Sequence, residues 1–172
     1  MRIIAGTHRG HRIAAPKGRD TRPTSDRVRE NAFNLIGPVD GAAVLDLFAG
    51  SGAMGLEALS RGAAQAVFVE RDPDAVRAIE RNLDKLRLRG TVLRQDAVAV
   101  LAGESRKYDL VFVDPPYDMY PDLEPQLARY LPPVLSDNAV VVVETDQRVE
   151  PSLALELRTS RRYGSARVTV YG

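Results

Sequence analysis

Polar and apolar positions along the 172-residue chain follow two alternating periods. Short, nearly unbroken apolar runs occur at Ala43–Phe48 (AVLDLF), Ala66–Glu70 (AVFVE), Thr91–Arg94, Leu110–Val113 (LVFV) and Ala139–Glu144 (AVVVVE). Their length and β-branched content predict strands covered on both faces. Between them apolar residues recur at helical spacing. Val28, Ala32, Leu35 and Ile36 predict a helix that opens at Thr24 as its hydroxyl cap and stops at Gly37-Pro38. A helix through Arg61 follows the first run, and one with Ala75, Val76, Ile79, Leu83 and Leu86 on one face follows the second, with Pro73 in its first turn. Ala97–Leu101 and Leu123–Leu131 predict two more.

Strands alternating with helices in this way predict a parallel sheet with helices on both faces. After the fifth run the pattern changes. Leu153–Thr159 and Ala166–Tyr171 alternate, with Arg161–Ser165 between them, which predicts an antiparallel hairpin finishing a seven-stranded sheet. At the other end, Arg2–Ala5 and Arg12–Ala15 flank a Gly6–Gly10 loop and predict a short N-terminal β-hairpin, continued by a Gly-, Pro- and Arg-rich connector to Pro23. The expected organisation is an arm over residues 1–23 and one Rossmann-like domain over 24–172.

Composition narrows the function classes. Net charge is only +1, yet residues 1–30 hold eight Arg or Lys against three acids, which points that end toward an anionic partner. A solvated terminal arm explains the same charge equally well. Without cysteine there is no disulfide or thiolate metal site, and two histidines are too few for a convincing zinc site, so no metal is expected. No run approaches 18 apolar residues and no signal peptide opens the chain, so the expectation is a cytoplasmic protein without membrane contact.

Three motifs carry chemistry. Gly50, Gly52 and Gly55 match G-x-G-x-x-G between a strand and a helix, where a tight turn lets a ligand approach the backbone over a positive helix N-terminus. A dinucleotide pyrophosphate and the methionine carboxylate of S-adenosylmethionine both suit that loop. Glu70, 20 residues after Gly50, stands where an acid grips ribose hydroxyls. Asp96, leaving the third strand, suits either an adenine amino group or the cap of the next helix.

The third motif is Asp114-Pro115-Pro116-Tyr117. Two prolines end the fourth strand because neither donates to a ladder, which leaves an acid and a ring at the strand's carboxyl end. Pro115 holds backbone carbonyls in a fixed turn beside the Asp114 carboxylate. An exocyclic –NH2 can donate one hydrogen to each acceptor, which aims its lone pair at an electrophile, and Tyr117 can stack on the same plane. Alone, the tetrad also admits the lesser reading of an ordinary strand exit. The order of signals chooses the cofactor: a dehydrogenase normally needs a substrate domain that 172 residues do not accommodate, whereas a methyltransferase needs only the nucleotide half and an acceptor site. The expected fold is therefore that of a class I S-adenosylmethionine-dependent methyltransferase, α/β and Rossmann-like, with an antiparallel last strand.

RIIAGTHRG at residues 2–10, RPTSDRVRENAFN at 22–34, DLFAGSGAMGLEALSRGA at 46–63 and DPPY at 114–117 resemble the RsmD-type methyltransferases, which modify a guanine N2 in small-subunit (16S) ribosomal RNA. The resemblance covers essentially the whole chain. It implies that Asp46, Phe48, Gly50, Gly52, Glu70 and Asp96, with Ser51, Arg71 and Ala97 beside them, line the S-adenosylmethionine site. It implies that Asp114, Pro115, Pro116 and Tyr117 hold the guanine amino group. Arg9, Arg12, Lys17, Arg19 and Arg22 are then expected to position ribosomal RNA phosphates, with the protein acting as a monomer. The rivals are a DNA amino methyltransferase, for which no target-recognition domain is present, a protein glutamine methyltransferase, whose tetrad usually begins with Asn, and a non-catalytic RNA-binding module.

Overall fold

The computed structural model describes residues 1–17 and 24–172. The elements run α1 (Asp26–Ile36), β1 (Ala43–Leu47), α2 (Ala53–Ser60), β2 (Gln65–Val69), α3 (Pro73–Leu86), β3 (Thr91–Leu93), α4 (Ala97–Gly103), β4 (Tyr108–Val113), α5 (Tyr120–Tyr130), β5 (Leu135–Asp146), β6 (Leu157–Tyr163) and β7 (Ala166–Tyr171). One seven-stranded sheet has the order β3-β2-β1-β4-β5-β7-β6. The first five strands pair in parallel, and β7 enters antiparallel between β5 and β6. The expected class I methyltransferase fold, with its antiparallel last strand, is the one observed.

The period-2 geometry of the strands divides the core into two layers. Val44, Phe68, Phe112 and Val142 face α1, α2 and α3, where they meet Phe33, Leu56 and Ile79. Leu45, Val67, Val111 and Val143 face α4 and α5, against Leu101, Leu123 and Leu127. Both faces are covered, which is why the sequence shows runs rather than alternation. No described helix is long and apolar enough to cross a membrane.

Three expectations change in detail. Ser25, not Thr24, caps α1: its hydroxyl accepts the Val28 N–H at 3.2 Å. The hydroxyl one residue earlier is drawn into the cavity instead. The N-terminal hairpin forms but is short: around an antiparallel bridge between Arg2 and Arg12, Ile3 and Ile13 donate to the His11 and Met1 carbonyls at 2.9 and 3.1 Å, and other groups of its backbone bond to the helices beneath it. Ile3 and Ile13 are buried in the α1–α3 layer, and Glu57 accepts the N–H groups of Ile4 and Ala5 at 2.9 and 3.0 Å. Finally, β6 starts at Leu157 rather than at Leu153. Leu153 belongs to the opposite layer, its N–H donating to the Tyr171 hydroxyl, while pairing of Tyr163 with Ala166 shortens the turn to Gly164-Ser165.

Glu57 is also the partner of a fully buried arginine. Arg29 lies 3.5 Å from it and donates to Asp26 at 3.0 Å and to the Arg2 carbonyl, while Arg61 donates to Glu57 at 2.9 Å. A buried carboxylate between two guanidiniums is tolerable only as a network, and removing one partner of such a pair typically costs about 3–5 kcal/mol. This network joins the N-terminal segment, α1 and α2.

Candidate active site

Between β1 and β4 the strand order reverses, and at that switch point the carboxyl ends of the strands open into a cavity of about 770 Å³. One wall comes from β1, β2 and the turns after them. Phe48 closes β1 with a φ of 59°, a left-handed conformation rare for an aromatic residue. The glycine turn that follows is pinned by acids. Asp46 Oδ2 accepts the Gly55 N–H at 2.9 Å, and Glu70 accepts those of Gly50 and Asp72 at 2.9 and 3.0 Å. A Cβ on Gly55 would lie 2.4 Å from the Phe68 ring, so the third glycine exists to let α2 lie against β2. Burial, reinforced by nearby Glu70, pushes the Asp46 carboxyl up to about 8 against the opposing Gly55 bond.

Asp96 caps α4 by accepting the Ala99 N–H at 3.1 Å, and it also lines the cavity with Ala97. Arg71 lines the same wall. Ser51 lines it too, and its hydroxyl is 3.9 Å from the Met1 sulfur. Gly52 sits just behind, at the N-cap of α2.

The opposite wall is built differently. Asp114 leaves β4 directly after Val113, whose partner Val143 precedes Glu144 within β5, so the two acids stand side by side on neighbouring segments of the sheet. The Thr24 hydroxyl lies 2.7 Å from Asp114 Oδ2 and 3.1 Å from Glu144 Oε2. The Tyr117 hydroxyl donates to Glu144 Oε1 at 3.1 Å. Burial, then the neighbouring Glu144, raise the Asp114 carboxyl well above the usual carboxylate range. Pro115 and Pro116 complete the wall.

Among the described residues the lining carries six acidic side chains, Asp46, Glu70, Asp96, Asp114, Asp118 and Glu144, and one arginine, Arg71. A cavity of this size and sign suits a cationic ligand of nucleoside dimensions.

All of the expected cavity residues except Gly52 line this one space, and Met1, Thr24, Asp118 and Glu144 join them. The family resemblance implies that Thr24 to Arg29 lie near the cofactor pocket, while the residues alone read Thr24 as a helix cap and Glu144 as the end of a buried strand, although AVVVVE ends on an acid beside the DPPY strand. Met1 reaches the glycine turn from the far end of the sequence. Asn82 holds the arm in place: its side chain bonds both the N–H and the carbonyl of Ala14, at 2.8 and 3.0 Å, and the Ser51 carbonyl at 3.0 Å. The basic residues are divided. Ala15 and Pro16 line the cavity and exposed Lys17 follows them. Exposed Arg9 belongs to the loop that packs on Ser60 and Leu86, at the far ends of α2 and α3. Arg12 is exposed on the return segment, and Arg19 and Arg22 lie outside the described residues.

The model of the family described as Conserved hypothetical protein 95 matches residues 1–172. The chain belongs to this family. The chain is also similar to the ribosomal RNA small subunit methyltransferase D of Escherichia coli K12, 44% identical over 119 residues that cover 68% of this chain and 60% of that protein. The corresponding protein of Haemophilus influenzae is 36% identical over 155 residues, covering 86% of this chain and 79% of its own. Among solved structures, a hypothetical protein of Thermus thermophilus superposes with a TM-score of 0.86 at 30% identity, covering 99% of this chain and 98% of that one. The family is the RsmD-type one that the N-terminal and glycine-loop segments resemble.

Proposed function

We propose that the protein transfers a methyl group to the exocyclic N2 of a guanine in small-subunit ribosomal RNA. The observation that carries this reading is the continuity of the cavity from the glycine turn to Tyr117: the donor socket and the acceptor tetrad share one space. S-adenosylmethionine is the methyl donor, and when bound it supplies an electrophilic methyl on a cationic sulfonium. The glycine turn would hold its methionine carboxylate, Glu70 its ribose hydroxyls and Asp96 its adenine amino group, with Asp46 and the apolar surface of Phe48 beside them. Asp114 and a backbone carbonyl of the proline pair accept the two amine hydrogens, which fixes the nitrogen lone pair and stabilises positive charge as it develops. Tyr117 stacks on the base, which must first leave its own stack. Arg9, Arg12, Lys17, Arg19 and Arg22 contact phosphates and position the RNA without reading its sequence. The protein acts as a monomer in the cytoplasm, with ribosomal proteins on the assembled subunit supplying part of the recognition surface.

The test is transfer of labelled methyl to three substrates in parallel: small subunits from a strain lacking the enzyme, the protein-free RNA, and duplex DNA, each with wild type and Asp114→Ala. Label in guanine N2 of subunit RNA, reduced at least a hundredfold in Asp114→Ala, is the expected result. Label confined to DNA would overturn the substrate, and efficient labelling of protein-free RNA would overturn the role of the assembled subunit.

A further inference from the structure

The acids of the cavity set a problem for an RNA substrate. Six acidic side chains and one arginine line the space that the guanine must enter. An extruded base brings its own two flanking phosphates to the mouth, so cations have to stand at the rim. The arm carries some, but Asn82 and Ser60 tie it to the side of α2 and α3.

The register of the sheet brings others to the acceptor side. Glu144, on the rim, pairs with Val168 of β7, and Val168 pairs with Arg161 of β6. Directly opposed residues point to one face of a sheet, so Arg161 shares the α1 face with Glu144, two strand spacings or roughly 10 Å away. The next row is Thr145, Arg167 and Arg162, which puts Arg162 on the other face of the same corner. Arg167 between them is buried and committed to Gln147, Ser160 and Glu150. α1 packs over β7 and adds a third cation. Arg29 faces Glu57 of α2, and Arg27, two residues earlier, projects about 200° round the helix, away from the arm. Arg27, Arg161 and Arg162 are exposed, and none forms an ion pair among the described residues. The acids of the adjoining turns are engaged elsewhere, Asp26 by Arg29 and Asp146 by Arg148.

We propose that Arg27, Arg161 and Arg162 form a phosphate-binding corner on the acceptor side of the mouth, which holds the RNA backbone beside the extruded guanine. The planar guanidinium fork matches phosphate oxygens and keeps its charge. With the arm on one side of α1 and this corner on the other, the strand is gripped on both sides of the flipped nucleotide. Charge on an edge strand also keeps β6 from pairing with another chain. That need runs along the whole strand and is met at its start by exposed Arg158; it calls neither for two adjacent arginines at the cavity end nor for Arg27 on a different element.

This inference rests on the methyl-transfer reading, so its first measurement needs no methyl transfer. Binding to small subunits from a strain lacking the enzyme is followed across a salt series. The proteins are wild type, Arg27→Ala, the Arg161→Ala/Arg162→Ala pair, all three together, and Arg158→Ala, which lies three residues or about 10 Å down the same strand. Each lost phosphate contact lowers the slope of log affinity against log salt by about 0.7–0.9. The triple variant should lose two to three such steps, roughly, and bind about tenfold or more weakly, while Arg158→Ala keeps the wild-type slope. Arg27→Lys, Arg161→Lys and Arg162→Lys together should restore most of the slope, because it counts charge. An unchanged slope in the triple variant would overturn the corner and leave edge protection as its role. An equal loss in Arg158→Ala would overturn the placement, since the whole edge would then act as a diffuse field. The second measurement is methyl transfer, in which the triple variant should raise the KM for subunits about tenfold and leave the donor KM unchanged; a raised donor KM would move these arginines into the donor site. If wild type binds subunits but transfers no methyl group, the proposed reaction fails and the slope still decides the corner. If it binds no RNA at any salt, both fall.

Discussion

Two walls of one cavity are lined with acids, and they are wired in opposite ways. On the glycine-turn side, Asp46, Glu70 and Asp96 bond backbone N–H groups, those of Gly55, Gly50, Asp72 and Ala99. On the tetrad side, Asp114 and Glu144 bond side-chain hydroxyls, from Thr24 and Tyr117. Backbone donors are held by the elements that carry them and cannot rotate away, so the acids of the first wall are fixed in place. Hydroxyls rotate, so the bonds of the second wall can change partners. One wall is rigid and the other adaptable.

The largest break in the comparison is to move the socket itself. Gly55→Val puts a branched side chain where even a Cβ lies 2.4 Å from Phe68, so α2 must back away from β2 and Asp46 loses its amide partner. Overpacking of this kind costs about 1–3 kcal/mol, occasionally more. Thermal unfolding should show the loss, and donor binding followed by calorimetry should fall below detection. Binding that stays intact would mean that the turn is not the socket.

A second substitution separates the walls by pH. Because the Asp46 carboxyl is raised to about 8 in the folded protein, it is protonated there near neutrality although the unfolded chain ionises it near 3.8. The folded state therefore binds the extra proton, and Asp46 lowers stability as pH rises from about 4 to about 8. A cationic donor favours the ionised form. Its affinity should rise with pH between about 5.5 and 7.5, by at most about tenfold per unit, with uptake of donor releasing a proton. Asp46→Asn keeps an acceptor for the Gly55 N–H and should flatten both dependences. Calorimetry in buffers of different ionisation enthalpy measures the released proton directly, and an unchanged pH slope in the variant would assign the effect elsewhere.

Tyr117→Phe probes the other wall more gently. It keeps the ring and removes the hydroxyl bond to Glu144, at 3.1 Å a bond to a charged partner worth roughly 1.5–3 kcal/mol at most. The expected result is a three- to tenfold fall in kcat with donor affinity unchanged. A fall in donor affinity instead would join the two walls that the wiring separates.

The two walls also differ in how legible they were. Glu70 and Asp96 follow strands at spacings set by βαβ geometry, so position along the chain points to them, whereas Asp46 is reached only through the family resemblance. The DPPY tetrad is legible because proline fixes its own backbone. Glu144 is not legible, and Thr24 only through the resemblance, since their contact spans 120 residues and that of Thr24 with Asp114 spans 90, which no local period encodes. Glu144 required the sheet order, which puts β5 beside β4. Thr24 required α1 to start one residue later than its hydroxyl suggested, and the hairpin of the terminal arm was legible while the Glu57 and Asn82 bonds that hold it were not, since its two-stranded pattern carries no sign of them.

The smallest expected effect lies outside both walls, on the arm. Lys17 follows Ala15 and Pro16 at the cavity rim, whereas Arg9 is carried on the loop beside Ser60, beyond the full eight-residue length of α2 from the glycine turn. At about 1.5 Å per residue that is roughly 12 Å of helix, so the two cations meet different phosphates if they meet any. Lys17→Ala and Arg9→Ala should each weaken RNA binding a few-fold and each reduce the slope of log affinity against log salt by about one contact, with kcat at saturating RNA unchanged. If the double variant reduces the slope by no more than either single one, the two residues share one phosphate and the arm does not span the distance its path implies. If neither changes the slope, the arm's charge is solvated and substrate positioning belongs to other surfaces.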